Sequence, residues 1–371
     1  MGQDKPKVAV LGLKGLPAFG GAAAASENVI IRLNDKYDYT IYSIDTHTNK
    51  RGQHNGYLQI VFKGWKGKRR NTFIYYFKSL FHVLFIGKYD LIHVNHTSCG
   101  FIVPFLRLRY KVVATAHGIV PKHDNKWNRF DKFFFHIFSF LFFRFSNVVA
   151  SVAKPHIRFF KKYTSKEIHY IPNGISTNNM PENHNEKENY ILFAANRIIS
   201  LKGLHILLEA LHILSYKRKL MVVGNMEHTP KYAQKLLKLC EGLQVEFKGL
   251  IKDRDELMGY IRKADLFIFP SLNEGMSNML LEVASMKTPI ICSDIEENKA
   301  IFNENEVIFF QSGDAVDLAE KINCAVTNVS KLQENAENAY QHLEREYNWQ
   351  NIASQYDEIY ESLLKKRRTD K

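Results

Sequence analysis

Between Phe269 and Asp294 the chain reads FPSLNEGMSNMLLEVASMKTPIICSD, with two glutamates, Glu274 and Glu282, set across a glycine-containing turn. The apolar run from Ala264 to Phe269 predicts a strand, Pro270 and Ser271 end it, and the amphipathic pattern beyond predicts a helix opening near Gly275. A strand entering such a turn and then a helix leaves backbone N–H groups and the positive end of the helix dipole at the turn. Phosphate groups bind at such places. Glu274 would stand beside that anion and Glu282 two helical turns further on, and carboxylates accept hydrogen bonds from the hydroxyls of sugars. A diphosphate with a polyol at each end is the outline of a nucleotide sugar.

Two further groups could act on the same ligand. Arg197 and Lys202 lie between a predicted strand (Tyr190 to Ala195) and a predicted helix (Gly203 to Leu214). Fixed cations there would stabilise the negative charge that develops on a departing diphosphate. His117 follows the predicted strand Val112 to Ala116, at the end of a strand where ligands gather in open α/β sheets. The Asp253-Arg254-Asp255 triplet precedes a helical pattern and reads as an N-cap. No other cluster has metal-ligand spacing, so no metal and no resident cofactor are expected.

Short β-branched or aromatic runs alternate with longer helical patterns, the rhythm of parallel sheets. The strands predicted in the first half are Lys7 to Leu13, Tyr39 to Ile44, Gln59 to Phe62, Leu91 to Asn95, Val112 to Ala116, Val148 to Ser151 and Ile168 to Ile171. In the second half they are Tyr190 to Ala195, Lys219 to Val223, Val245 to Leu250, Leu266 to Phe269, Ile290 to Ser293 and Val307 to Phe310. The polar stretch 176–189 between the halves reads as a linker. The fold class is α/β, with two doubly wound, Rossmann-like domains over residues 1–178 and 186–348 facing across a cleft. The spacing of Ile352, Tyr356, Ile359, Tyr360 and Leu363 predicts a last helix within 349–371.

The chain has 371 residues and a formal net charge of +13. Residues 1–180 carry 27 Lys and Arg against 9 Asp and Glu, the remainder 24 against 29. One half alone therefore suits an anionic partner, with Lys66, Lys68, Arg69 and Arg70 its densest cluster. Nucleic acid and an anionic membrane face both qualify by charge; the membrane face is the expected partner and nucleic acid is not, because the sequence offers no recognition module. Four scattered cysteines suit a reducing compartment, and the N-terminus lacks a signal-peptide run, so a cytoplasmic location is expected. The aromatic run Phe133 to Phe145 is too short to span a bilayer. It reads first as a helix buried between a sheet and its neighbours, and second as a helix lying in the bilayer interface.

The motifs in their order resemble glycosyltransferase family 4, the group 1 retaining glycosyltransferases of the GT-B fold. The matching segments are Gly15-Leu16-Pro17-Ala18-Phe19-Gly20-Gly21, Ala116-His117-Gly118, Ile171-Pro172-Asn173-Gly174, Arg197 with Lys202-Gly203, and Phe269 to Asp294. The resemblance implies that Gly20 and Gly21 let backbone approach the donor phosphates and that His117 faces the donor sugar. It implies that the N–H groups of Gly275, Met276 and Ser277 meet the diphosphate with Arg197 and Lys202, while Glu274 holds the sugar and Glu282 the ribose. It also implies that the last helix returns to the first domain. Many members carry a glutamate after the paired glycines, where this chain has Ala22 to Ala25.

The expected activity is transfer of a sugar from a nucleotide-sugar donor, with retention, to a lipid-linked oligosaccharide or other saccharide acceptor in bacterial surface polysaccharide assembly such as capsule or lipopolysaccharide. The protein would then work as a peripheral protein on the inner face of the plasma membrane. A nucleotide-sugar epimerase and a sugar phosphorylase of related fold stay open, as does a non-catalytic membrane- or nucleic-acid-binding protein.

Overall fold

The computed structural model describes residues 4–17, 21–65, 68–119, 129–175, 187–227 and 229–369. The chain divides into two compact units, Met1–Asn173 with Trp349–Lys371, and Gly174–Asn348. Where the chain enters and leaves the second unit it is tied to itself: the Ile175 N–H donates to the Tyr347 carbonyl at 2.8 Å.

The first unit contains strands β1 (Lys7–Lys14), β2 (Asp38–Ile44), β3 (Gly52–His54), β4 (Tyr57–Phe62), β5 (Leu91–Val94), β6 (Lys111–Ala116), β7 (Val148–Ser151) and β8 (Ile168–Tyr170). They form one sheet in the order β3-β4-β2-β1-β5-β6-β7-β8, parallel except for β3 on β4. The central strands are buried on both faces, which is why they read as unbroken apolar runs rather than alternations. β3 is absent from the predicted strands: Gly-Gln-His has no apolar residue, and an edge strand needs none. The strand order reverses at β1, which has β2 on one side and β5 on the other, and so opens a crevice at the C-terminal ends of these strands.

Helices α1 (Gly21–Leu33), α2 (Lys68–Phe85), α3 (Val103–Arg107), α4 (Arg129–Phe145) and α5 (Lys154–Phe160) cover this sheet. One face buries Tyr75, Tyr76, Val83, Leu106, Phe142 and Phe160 from α2 to α5. The other takes Val29, Ile30 and Leu33 from α1.

The second unit has β9 (Tyr190–Arg197), β10 (Lys219–Asn225), β11 (Val245–Gly249), β12 (Leu266–Phe269), β13 (Ile290–Ser293) and β14 (Ile308–Phe310), all parallel, in the order β11-β10-β9-β12-β13-β14. Its helices are α6 (Leu204–Ile213), α7 (Pro230–Leu239), α8 (Arg254–Lys263), α9 (Asn278–Ser285), α10 (Glu296–Lys299), α11 (Ala315–Thr327) and α12 (Val329–Glu346). Residues of α6 and α11 fill one face and residues of α9 and α12 the other. Here the order reverses between β9 and β12. The last helix, α13 (Trp349–Thr369), belongs to the first unit and buries Ile352, Tyr356, Ile359, Tyr360 and Leu363 beside α1.

Two expectations need correction. The helix after β12 does not open near Gly275: it begins at Asn278, and the Ser277 hydroxyl caps it by accepting from the Leu280 N–H at 3.4 Å. Serine in extended conformation stops the turn two residues later than the glycine suggests. The burial expected for the run 133–145 holds for one face of α4 only. Phe142 and Phe143 are buried, whereas Phe133, Phe134, Ile137, Phe140 and Phe145 are exposed. The seat for α4 is Gly100, where a Cβ would lie 1.8 Å from the Phe138 carbonyl oxygen. The predicted linker 176–189 lies outside the described residues as far as 186.

Candidate active site

In the second unit the predicted residues gather at the strand ends beside the β9/β12 reversal. Arg197 is the last residue of β9 and is exposed. The chain then makes a single turn, Ser200–Lys202, closed by Gly203 in the left-handed conformation with φ 72°. A Cβ on Gly203 would lie 1.8 Å from the Pro270 carbonyl oxygen, so this turn rests directly on the backbone that follows β12. The Leu272 N–H donates to the Leu201 carbonyl at 2.8 Å and pins the two loops together.

That contact brings together residues far apart in sequence. Lys202 Nζ donates to Glu274 Oε1 at 2.5 Å, and the buried Ser271 hydroxyl donates to the same oxygen at 2.5 Å. The Glu274 side chain is only 9% exposed, and these two donors orient it. Ser271 was not among the predicted residues; its place one residue after Pro270 was the available signal. Gly275, Met276 and Ser277 are the three residues before α9, with Ser277 spent on capping and the Met276 side chain packed against the core.

Glu282 faces another partner, Arg254 on α8, with Nη1 3.1 Å from Oε1. Burial pushes the Glu282 carboxyl above the usual carboxylate range, against the opposing pull of Arg254. Asp253 caps α8, its Oδ1 accepting from the Asp255 and Glu256 N–H groups at 2.9 and 3.1 Å. This is the N-cap that the sequence suggests. Among the described residues no group of three or more His, Cys, Asp or Glu could hold a metal ion.

In the first unit, His117 follows β6 at the C-terminal edge of the sheet. Its Nε2 lies 3.4 Å from Asn95 Oδ1, and its buried Nδ1 has no partner. Asn95, just after β5, is buried; its Oδ1 accepts from the Ser26 hydroxyl at 3.0 Å, and its Nδ2 also has no partner. Two unpaired polar groups buried at a strand-end crevice are an invitation to a hydroxyl-bearing ligand. Neither Asn95 nor Ser26 was predicted; a polar residue ending the apolar strand Leu91–Val94 was the signal. Burial, aided by His96 and His93, pushes His117 down to about 3, so its imidazole is neutral at physiological pH.

Gly21 opens α1 with φ 64° and has open space around it; Gly20 lies outside the described residues. Ahead of it the loop is clamped by the buried Gln59, whose Oε1 accepts from the Leu16 N–H at 2.9 Å while Nε2 donates to the Leu16 carbonyl at 3.0 Å.

A second histidine sits deeper. His93 Nδ1 lies 2.7 Å from the Tyr360 hydroxyl on α13 and Nε2 lies 2.8 Å from Thr115 Oγ1. Burial pushes His93 down to about 3. The folded state therefore resists a proton that the unfolded chain accepts near pH 6.5, and this contribution to stability is lost as pH falls below that value. From about pH 7.5 to about pH 5 the loss should be about 2 kcal/mol. Denaturant midpoints at the two pH values check it: His93→Gln should reduce the difference by about that amount and leave the share of the equally depressed His117, whereas an unchanged pH dependence in the variant would contradict this assignment.

Two family models match the chain back to back, Glycosyltransferase Family 4 over residues 19–179 and Glycosyl transferases group 1 over residues 176–342. The capsular polysaccharide biosynthesis glycosyltransferase CapM of Staphylococcus aureus is 23% identical over 198 residues, covering 52% of this chain and 51% of that protein. The N,N'-diacetylbacillosaminyl-diphospho-undecaprenol alpha-1,3-N-acetylgalactosaminyltransferase of Campylobacter jejuni is 28% identical over 182 residues, 48% of this chain and 46% of that one. The chain spans about half the length of these curated relatives. Among solved structures, Anabaena HepE in complex with UDP and glucose superposes with a TM-score of 0.77 at 20% identity, over 96% of this chain and 100% of that one. Sucrose-phosphate synthase of Thermosynechococcus elongatus gives 0.82 at 18% identity, over 97% and 99%. The two parallel, Rossmann-like sheets are thus those of GT-B structures, and the chain belongs to glycosyltransferase family 4 of the group 1 glycosyl transferases, a family whose members are retaining.

Proposed function

We propose that this chain transfers a sugar from a nucleoside diphosphate donor to a lipid-linked saccharide acceptor, with retention of anomeric configuration. The observation that carries the reading is the Arg197, Lys202 and Glu274 arrangement at the strand reversal of the second unit: two cations and a polar-anchored carboxylate where an anionic ligand binds in such sheets. Arg197 and Lys202 would stabilise the diphosphate as the anomeric C–O bond breaks. The backbone N–H groups of Gly275, Met276 and Ser277, ahead of α9, would add to that stabilisation.

Glu274 would accept from the sugar hydroxyls and Glu282 from the ribose. Both carboxylates are held by cations, Lys202 and Arg254, so each stays oriented before the ligand arrives. His117 would offer a neutral imidazole to a sugar hydroxyl, with Asn95 beside it, and the backbone of Gly20 and Gly21 would approach the donor phosphates. UDP is the first nucleotide to test, because HepE holds it, and a polyprenyl diphosphate acceptor is suggested by the name of the Campylobacter relative. No described helix is long and apolar enough to cross a membrane. An acceptor anchored in lipid would then be met from the cytoplasmic side by a peripheral enzyme.

Calorimetric titration of UDP-, GDP-, ADP- and dTDP-sugars into the wild type and Arg197→Ala tests the donor site. One nucleotide class should bind in the micromolar range, with affinity falling about tenfold or more in the variant, as for loss of a charge-assisted contact. Equal affinity in both proteins would remove Arg197 from the site. Turnover of donor without acceptor, or dependence on inorganic phosphate, would replace transfer by epimerisation or phosphorolysis.

A further inference from the structure

α2 carries apolar residues on two sides, although only one side of it faces the sheet. Tyr75, Tyr76 and Val83 are buried, while Phe73, Phe77, Phe81 and Phe85, spaced by four, form a stripe on the opposite side. Phe77, Phe81 and Phe85 are 60%, 59% and 70% exposed. A helix in water places polar residues there. The stripe is continuous with the outer face of α4: Phe73 lies 5.4 Å from Phe101 and 6.1 Å from Phe138, ring to ring, and Phe138 lies 5.8 Å from Phe134. Phe105 and Leu108 of the α3 region are exposed as well. Exposed patches of this extent mark interaction sites.

Cations border it. Arg70 and Lys78 on α2, Lys88 beyond its end, Arg107 at the end of α3 and Arg144 on α4 are all exposed. Between Asp45 and Asp124 the only acidic residue in the sequence is Asp90. Its carboxylate accepts from the Lys7 N–H at 2.9 Å, at the start of β1. α2 follows the C-terminal end of β4, so its N-terminal end, with the exposed Trp65 just ahead, lies at the sheet edge that carries His117.

We propose that the outer faces of α2 and α4 form a docking surface for an anionic lipid bilayer, with the phenylalanine side chains entering the acyl boundary and the bordering cations meeting lipid phosphates. Aromatic and aliphatic side chains accompanied by Lys and Arg, with Asp90 the one acidic residue between Asp45 and Asp124, match such an interface. The same charge opposes a second copy of this chain, since two like-charged faces would meet. Docking would bring the His117 edge of the first unit to the surface where lipid-linked molecules are held. The inference rests on the lipid-linked acceptor reading above but concerns a different face from the nucleotide residues.

The experiment is co-sedimentation of the full chain with vesicles of phosphatidylglycerol and phosphatidylethanolamine, and with phosphatidylcholine alone, at low and high salt. The wild type should bind the anionic vesicles, and high salt should weaken binding. Phe77→Ser/Phe81→Ser/Phe85→Ser should lower partitioning about tenfold or more, and Lys78→Gln/Lys88→Gln/Arg107→Gln should do so at low salt. Nucleotide titration on the same proteins separates the two readings: the triple Phe variant should bind nucleotide as the wild type does. Vesicle binding without any nucleotide binding would fault the function, not the surface. Wild-type binding that the Phe triple leaves unchanged, or none at all, would overturn the surface, as would a wild-type dimer that the Phe triple converts to a monomer. If the triple variant fails to fold, Phe81→Trp answers instead. Quenching of its added fluorescence by brominated phospholipid supports the docking surface, and absence of quenching overturns it.

Discussion

Lys202→Ala is expected to lower kcat for sugar transfer by about 10²–10³-fold, the usual cost of removing a group aimed at charge developing in the transition state. Two effects combine. The diphosphate loses a fixed cation as it departs, and Glu274 keeps a largely buried carboxylate with only Ser271 donating to it. Glu274→Gln separates them, because the amide oxygen still accepts from Ser271 and Lys202 while the charge is gone. Lys202→Ala/Glu274→Gln then closes a double-mutant cycle. If the pair works as one device, the double variant should be far less impaired than the product of the single losses. Steady-state kinetics with a saturating donor gives the answer. A kcat within a factor of about three of wild type in Lys202→Ala would be inconsistent with a role in leaving-group stabilisation.

Gly203→Ala should have an effect of comparable size by a different route. The residue is left-handed at φ 72°, and its Cβ would be driven to 1.8 Å from the Pro270 carbonyl oxygen, which is backbone and cannot rotate away. The left-handed conformation alone costs a non-glycine residue about 1–2 kcal/mol. The clash then forces the Ser200–Lys202 turn off the loop after β12, breaking the Leu272 to Leu201 hydrogen bond that aligns Lys202 with Glu274. A displacement of about 1 Å can cost about a hundredfold in rate. Activity should therefore fall more steeply than stability, and thermal unfolding alongside kinetics checks the ratio. A variant with wild-type kcat and melting temperature would show that the turn does not position Lys202.

The two sheets and most of their strands were legible because buried parallel strands are written as short apolar runs between helical patterns. Glu274, Arg197, Lys202 and His117 could be singled out for the same reason: each follows such a run, at the strand end where ligand sites form. The start of α9 was misplaced because a glycine looks like the opening of a helix, whereas the Ser277 hydroxyl decides it by capping Leu280. Asn95 and Gln59 passed unnoticed, since a single polar residue at or within an apolar strand carries no local sign of what it will face.

What the sequence determined by itself is local: which segments form most of the strands and helices, and which charged residues follow them. Only the tertiary structure decided which ends meet. Lys202 and Glu274 are paired through the contact of Gly203 with Pro270, and Tyr360 reaches His93 because α13 returns to the first sheet. It also decided the surface. The aromatic residues of α2 carry no local sign of which side the sheet will cover, so the exposed phenylalanine stripe emerges only once Tyr75, Tyr76 and Val83 have taken the buried one. Burial is a property of the neighbours a segment acquires, and those neighbours lie far away along the chain.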